Sequence, residues 1–152
     1  MDTTIQLHRD FKEFLRLLEA NEVRYLLVGG YAVGFYGYVR PTGDLDVWVD
    51  NNEDNAVKIV KALGEFGFAT PEISSEVFTL KKSIVRMGIP PFKLEVITFI
   101  DGVEFAECYA NRQRSEIDGV QVDVISLVDL KTNKRASGRP KDLNDLLELE
   151  KL

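Results

Sequence analysis

Four consecutive apolar residues, Tyr25-Leu26-Leu27-Val28, run without a spacer into Gly29-Gly30. A run this short and continuous predicts a strand buried on both faces. The two glycines at its end permit a tight turn and the close approach of a ligand to the backbone. A short helix through Tyr31 to Tyr38 is expected next. Leu45 to Val49 then predicts a second strand, with Leu45, Val47 and Val49 on one face and Asp44, Asp46 and Trp48 on the other. A third, Phe92 to Phe99, is apolar enough for a sheet interior and is interrupted by Glu95.

Helical patterns separate these strands. Phe11, Phe14, Leu15 and Leu18 repeat at the spacing of one buried face, with Thr3 or Thr4 as the expected cap and Asn21 as the expected end. Asn52 opens a second helix whose stripe is Ala56, Ile59, Val60 and Leu63, before Gly64 and Gly67. Thr79-Leu80 and Ile84-Val85-Arg86 are short strand candidates. Asp118-Gly119, between Ser115–Ile117 and Val120–Val124, is the dipeptide of a two-residue hairpin turn. Ser126-Leu127-Val128-Asp129 has the form of a capping box for a helix ending near Gly138, and Pro140 suits the first turn of a last helix through Leu143, Leu146 and Leu147. The expected fold is α/β (α+β): a small mixed β-sheet flanked by helices, in one domain over residues 1–152, since 152 residues with 45% hydrophobic content suit one core.

Composition narrows the function. With 25 acidic against 19 basic residues the net charge is -6, so the chain lacks the positive field of a nonspecific nucleic-acid binder, and any RNA contact must be local. One cysteine, Cys108, cannot staple the chain, and the lone His8 has no zinc-ligand companion. No apolar stretch approaches the roughly 20 residues of a membrane helix, so a soluble protein of the reducing cytoplasm is expected.

The chemistry resides in the acids. Asp-x-Asp on a strand sets two carboxylates on one face about 7 Å apart, in reach of a shared hard cation. Alone, this pattern also suits a turn or an exposed edge. A third acid from another strand completes an oxygen-rich site, and Glu95 is the candidate, because a charge in a strand interior needs a partner. Backbone N–H groups at Gly29 and Gly30 suit a triphosphate. No Gly-Lys-Ser/Thr follows and no G-x-G-x-x-G register is present, which argues against a Walker loop and a dinucleotide-binding turn. Metal ions held by three such acids accelerate phosphoryl and nucleotidyl transfer. The stretch Lys131–Lys141 adds five cations, a local phosphate-binding patch or a solvated helix end. Arg40 lies close in sequence to the acids. Trp48 reads as packing, and neither His8 nor Cys108 is assigned a catalytic role. Among Tyr31, Phe35, Tyr36 and Tyr38, a core-packing role competes with base stacking, for which Tyr36 or Tyr38 is the candidate.

Val28-Gly29-Gly30, then Thr42-Gly43-Asp44-Leu45-Asp46-Val47, then Leu94-Glu95-Val96 resembles the motif order of the DNA polymerase beta superfamily of nucleotidyltransferases. Gly29-Gly30-Tyr31-Ala32, Arg40-Pro41-Thr42-Gly43-Asp44-Leu45-Asp46 and the tail from Asp129-Leu130-Lys131 to Lys141-Asp142 resemble small bacterial proteins related to abortive-infection toxin nucleotidyltransferases. The resemblance implies Mg²⁺ ligation by Asp44, Asp46 and Glu95 as the catalytic acids. It also implies nucleotide contacts from Gly29 and Gly30, with Tyr31 at the position where relatives often carry serine. It sets the helix of Lys131 and Lys134 beside the acids as phosphate ligands, with Arg40 nearby, while Arg139 can instead pair with Asp142.

The expected activity is Mg²⁺-dependent transfer of a nucleoside monophosphate from an NTP to a hydroxyl on RNA, protein or a small molecule. A homodimer or partner protein would supply recognition the short chain lacks. Tyr31 and Glu95, where aspartate is commoner, also fit a second reading: a catalytically inactive binding or regulatory module, one half of a toxin–antitoxin-like pair.

Overall fold

The structure, a computed structural model, describes residues 5–152. Six strands form one mixed sheet in the order β3-β4-β2-β1-β6-β5. They are β1 (Tyr25–Val28), β2 (Asp44–Val49), β3 (Ile84–Ile89), β4 (Phe92–Ile97), β5 (Gln113–Ile117) and β6 (Val120–Val124). The helices are α1 (Arg9–Ala20), α2 (Gly29–Phe35), α3 (Glu53–Phe66), α4 (Phe105–Ala110), α5 (Leu127–Ser137) and α6 (Pro140–Glu150). β1 runs antiparallel to β2 and parallel to β6, while β2 and β4 are parallel. The fold is α/β with a mixed sheet flanked by helices. No helix among the described residues is long and apolar enough to cross a membrane.

All four residues of β1 are buried, because the strand lies at the sheet centre. In β2, Leu45, Val47 and Val49 are fully buried, whereas Asp44 and Asp46 alternate onto the half-open face. α1 buries Phe11, Phe14, Leu15 and Leu18 and packs against α3 and β6. Each such side chain contributes roughly 1.5–3 kcal/mol by leaving water. Asn52 caps α3 through the Asn55 N–H, and the buried Asn55 side chain bonds the Arg24 backbone and the Asp50 carbonyl, tying the helix start to the ends of β1 and β2.

Several boundaries differ from the sequence reading. His8 caps α1, its ring nitrogen accepting the Asp10 N–H, and its ring stacks on Phe92; Thr3 and Thr4 lie outside the described residues. α2 begins at Gly29 and ends at Phe35, so it starts directly at the end of β1 instead of at Tyr31. Thr79-Leu80 is not a strand. Thr79 closes a 3₁₀ turn over Ser75–Thr79, its hydroxyl donating to the Glu76 carbonyl, and buried Phe78 anchors that turn. The weak strand at Ile84 runs on to Ile89 because it pairs along its whole length with β4. α4 has no counterpart in the sequence reading; it is six residues long, and its Phe105 packs edge-on against Trp48. The Asp118-Gly119 turn, the Ser126 cap bonding the Asp129 N–H, the Gly138 stop and the Pro140 start stand as read.

Candidate active-site cleft

Strand register brings the acids together. Asp46 on β2 lies opposite Glu95 on β4; Val28 on β1 lies opposite Asp46, and Arg86 on β3 opposite Glu95. Residues directly opposite share a face, so one row across the sheet reads Arg86, Glu95, Asp46, Val28. Asp44 sits two residues before Asp46 on the same face, opposite Lys93.

The row continues past Val28 into the glycine pair. Gly29 has φ +69, and a Cβ there would stand 2.1 Å from Asp46 Oδ2. Only glycine lets β1 turn into α2 against that carboxylate. At Gly30 a Cβ would meet the Thr42 hydroxyl at 2.8 Å and the Arg40 guanidinium at 3.3 Å. Both glycines, Asp44, Asp46, Glu95, Arg40 and Lys134 line one cleft of about 430 Å³.

Electrostatics differ sharply among the acids. Burial, together with the adjoining Glu95 carboxyl and the charge of Asp44, pushes Asp46 up to about 8, against a smaller opposing pull from Lys134. Burial also works against ionisation of Glu95, yet the Asp46 carboxyl and the Arg86 guanidinium, whose Nε lies 3.0 Å from Oε1, hold it below the usual carboxylate range. The two carboxyls therefore titrate as a pair sharing a proton, Asp46 shifted up and Glu95 down. Asp44 has Lys93 at 4.0 Å.

A second network flanks the acids. Arg40 donates two hydrogen bonds of 2.9 Å to Asp145, whose side chain is 1% exposed. Lys134, also buried, reaches Asp142 at 2.9 Å and Asp145 at 3.2 Å. Arg139 and Ser137 bond the remaining oxygen of Asp142. Burial alone would raise both carboxyls; these donors outweigh it and hold Asp142 and Asp145 below their ordinary value.

Four sequence candidates fall elsewhere. Tyr31 does not line the cleft; its ring packs edge-on against Phe11 and lies in a separate pocket with Gly34 and Val39. Lys131 is also absent from the cleft lining and pairs with Glu150 at 3.5 Å. Tyr36 and Tyr38 are not cleft residues either, and Tyr36 donates its hydroxyl hydrogen to the Ile125 carbonyl at 2.6 Å. Conversely, Arg86, Asn133 and Asp142 line the cleft without having been assigned to it from sequence, and Arg139 and Lys141 of the cation-rich stretch line it too. The signal for Arg86 was its alternation with Ile84 on a strand candidate, but its partner was not readable before β3 was paired to β4.

The donor set suits a hard divalent cation. Asp46 Oδ1 is buried without a hydrogen-bond partner, and the surrounding donors are carboxylate oxygens. As the side chains stand, with Glu95 turned to Arg86 and Asp44 toward Lys93, no group of three acids, histidines or cysteines among the described residues is closed round an ion position. A cation here would be held by Asp46 and Glu95, with Asp44 at the rim, and would displace the shared proton.

The sequence matches no family model and no curated protein. Solved structures do share the fold. A putative nucleotidyltransferase from Thermotoga maritima superposes with a TM-score of 0.62 at 17% identity, over 94% of this chain and 91% of that one. A lincosamide antibiotic adenylyltransferase with lincomycin bound gives 0.57 at 13% identity, over 95% and 96% of the two chains. This chain therefore has the fold seen in these nucleotidyltransferases.

Proposed function

We propose that the protein transfers a nucleoside monophosphate from an NTP to a hydroxyl acceptor, in the manner of the DNA polymerase beta superfamily. The observation that carries this reading is the register pair Asp46–Glu95 with Asp46 packed on Gly29 in a cleft that Lys134 and Arg40 also line. Mg²⁺, bound by Asp46, Glu95 and Asp44, would neutralise the phosphates and the departing pyrophosphate. The backbone at Gly29-Gly30 and the cations Lys134, Arg139 and Lys141 orient the triphosphate. The acceptor oxygen forms a bond to the α-phosphorus as the bond to the β-phosphate bridging oxygen breaks. Pyrophosphate leaves, and the hydroxyl proton passes to solvent water. A cytoplasmic setting and recognition by a second copy or a partner protein belong to the same proposal.

Incubation with Mg²⁺, each α-labelled NTP and a cell extract tests it. A labelled product that disappears in Asp46→Asn is expected; no product with any NTP, or labelling that survives the substitution, overturns it. A second reading rests on Arg86 and Lys93 standing against Glu95 and Asp44 where a cation would otherwise serve. It makes the chain a nucleotide-independent binding module, akin to a component of a toxin–antitoxin-like pair. Calorimetry separates the two, since such a module shows no Mg²⁺-dependent NTP binding.

A further inference from the structure

The cleft has two unlike walls. On one side of the acids stand Gly29-Gly30 and Lys134, the latter near enough to act on Asp46. On the other is the exposed face of β3 and β4. There Ile84 and Ile97 are register partners, two residues beyond the Arg86–Glu95 pair, which puts them about 7 Å from the acids. Ile84 is 53% exposed, Ile97 and Phe99 are half-buried, and all three line the cleft. Lys82 lies over the Phe99 ring at 4.4 Å. An open apolar shelf within an otherwise charged cleft is a feature that calls for a ligand.

We propose that this shelf is the acceptor subsite, and that its acceptor is a small hydroxyl compound carrying an apolar ring or branched aliphatic group. The inference rests on the nucleotidyl-transfer reading of the same cleft. In an in-line displacement the attacking and leaving oxygens lie on opposite sides of the phosphorus. With the triphosphate against Gly29-Gly30 and Lys134, the hydroxyl enters from the Glu95 side, so the body of the acceptor rests over Ile84, Ile97 and Phe99. A polynucleotide needs a track of cations and free aromatic faces for its bases. Between Lys82 and Arg86 this face carries only apolar side chains. Phe99, the one aromatic residue lining the cleft among the described residues, already has a lysine over its ring.

The test uses the full chain with Mg²⁺ and a nonhydrolysable ATP or GTP analogue. Three probes are titrated by ligand-observed NMR: 4-nitrophenyl β-D-glucopyranoside, glucose, and an adenosine RNA hexamer. The glycoside is expected to bind alongside the analogue, with glucose weaker by about tenfold or more because it lacks the apolar ring. Ile84→Ser, at an exposed edge position, is expected to weaken the glycoside severalfold and leave the analogue's affinity as it was. Equal binding of glucose and glycoside, tighter binding of the hexamer, indifference to Ile84→Ser, or displacement of the glycoside by the analogue would each overturn the assignment. If neither analogue binds the wild-type chain, the nucleotidyl-transfer reading fails first; if one binds and the glycoside result fails, only the subsite is lost.

Discussion

Asp46 carries the most consequential electrostatics of any single residue here. Its folded pKa of about 8 stands above the ordinary 3.8, so the folded state binds the extra proton throughout that interval. Stability from this group is complete below the ordinary value and drains away as pH rises through about 8. The metal-free protein should thus melt at a lower temperature at pH about 9 than at about 6. Asp46→Asn should flatten that difference; a thermal scan at both pH values decides it. Gly29→Ala is expected to cost about 1–2 kcal/mol through left-handed strain alone, and to push Asp46 aside. Urea denaturation reads the first effect, and loss of Mg²⁺-dependent NTP binding the second. The acids and the glycine pair were legible in the sequence because each is fixed by its immediate neighbours: alternation on a strand, and a strand ending in two glycines. Tyr31 and Lys131 were not. Whether a residue near the start of α2 faces cleft or core depends on α1, whose Phe11 takes the Tyr31 ring, and Lys131 is set apart from Lys134 by partners on α6, Glu150 for the one and Asp142 and Asp145 for the other.

Between elements, the decisive contact is the clasp from the segment after α2 to α6. Arg40 and Asp145 are 105 residues apart, yet they meet through two parallel hydrogen bonds, a geometry that fixes orientation as well as distance. Breaking such a buried pair from one side leaves a stranded charge, so Asp145→Asn should lose about 3–5 kcal/mol at neutral pH. Asp145 and Asp142 both have lowered folded pKa values. Their contribution is therefore present above the ordinary 3.8 and lost as pH falls below it. The stability gap between wild type and Asp145→Asn should narrow in acid, and a gap unchanged between neutral pH and pH about 3 would refute the clasp's role. Elements set by local signals, such as the Asp118-Gly119 hairpin and the caps at Asn52 and Ser126, were readable from sequence. The strand order was not, nor was α4, whose six residues are too few to show a period and are placed by Trp48.

At the level of the whole molecule, the chain is acidic while its cleft is close to balanced, with Arg86 on Glu95 and Lys134 and Arg139 on Asp142. Its lining holds five acids, Asp44, Asp46, Glu95, Asp101 and Asp142, against five cations, Arg40, Arg86, Lys134, Arg139 and Lys141. The net is near zero, so the NTP binding proposed above would draw on direct contacts and on the metal, not on overall attraction. Mg²⁺ and an NTP together should then raise the melting temperature more than either alone, by an amount equivalent to about 2.7 kcal/mol at a hundredfold excess over Kd; chelation with EDTA should return it to the starting value. α6 has a role in this balance beyond packing. A chain cut after Arg139 would retain Asp44, Asp46, Glu95 and both glycines, yet Lys134 would lose both of its carboxylate partners. Its ammonium, already felt at Asp46, would be free to swing onto the acids and occupy the place proposed for a divalent cation. The last helix is insulation for one cation, holding Lys134 on Asp142 and Asp145.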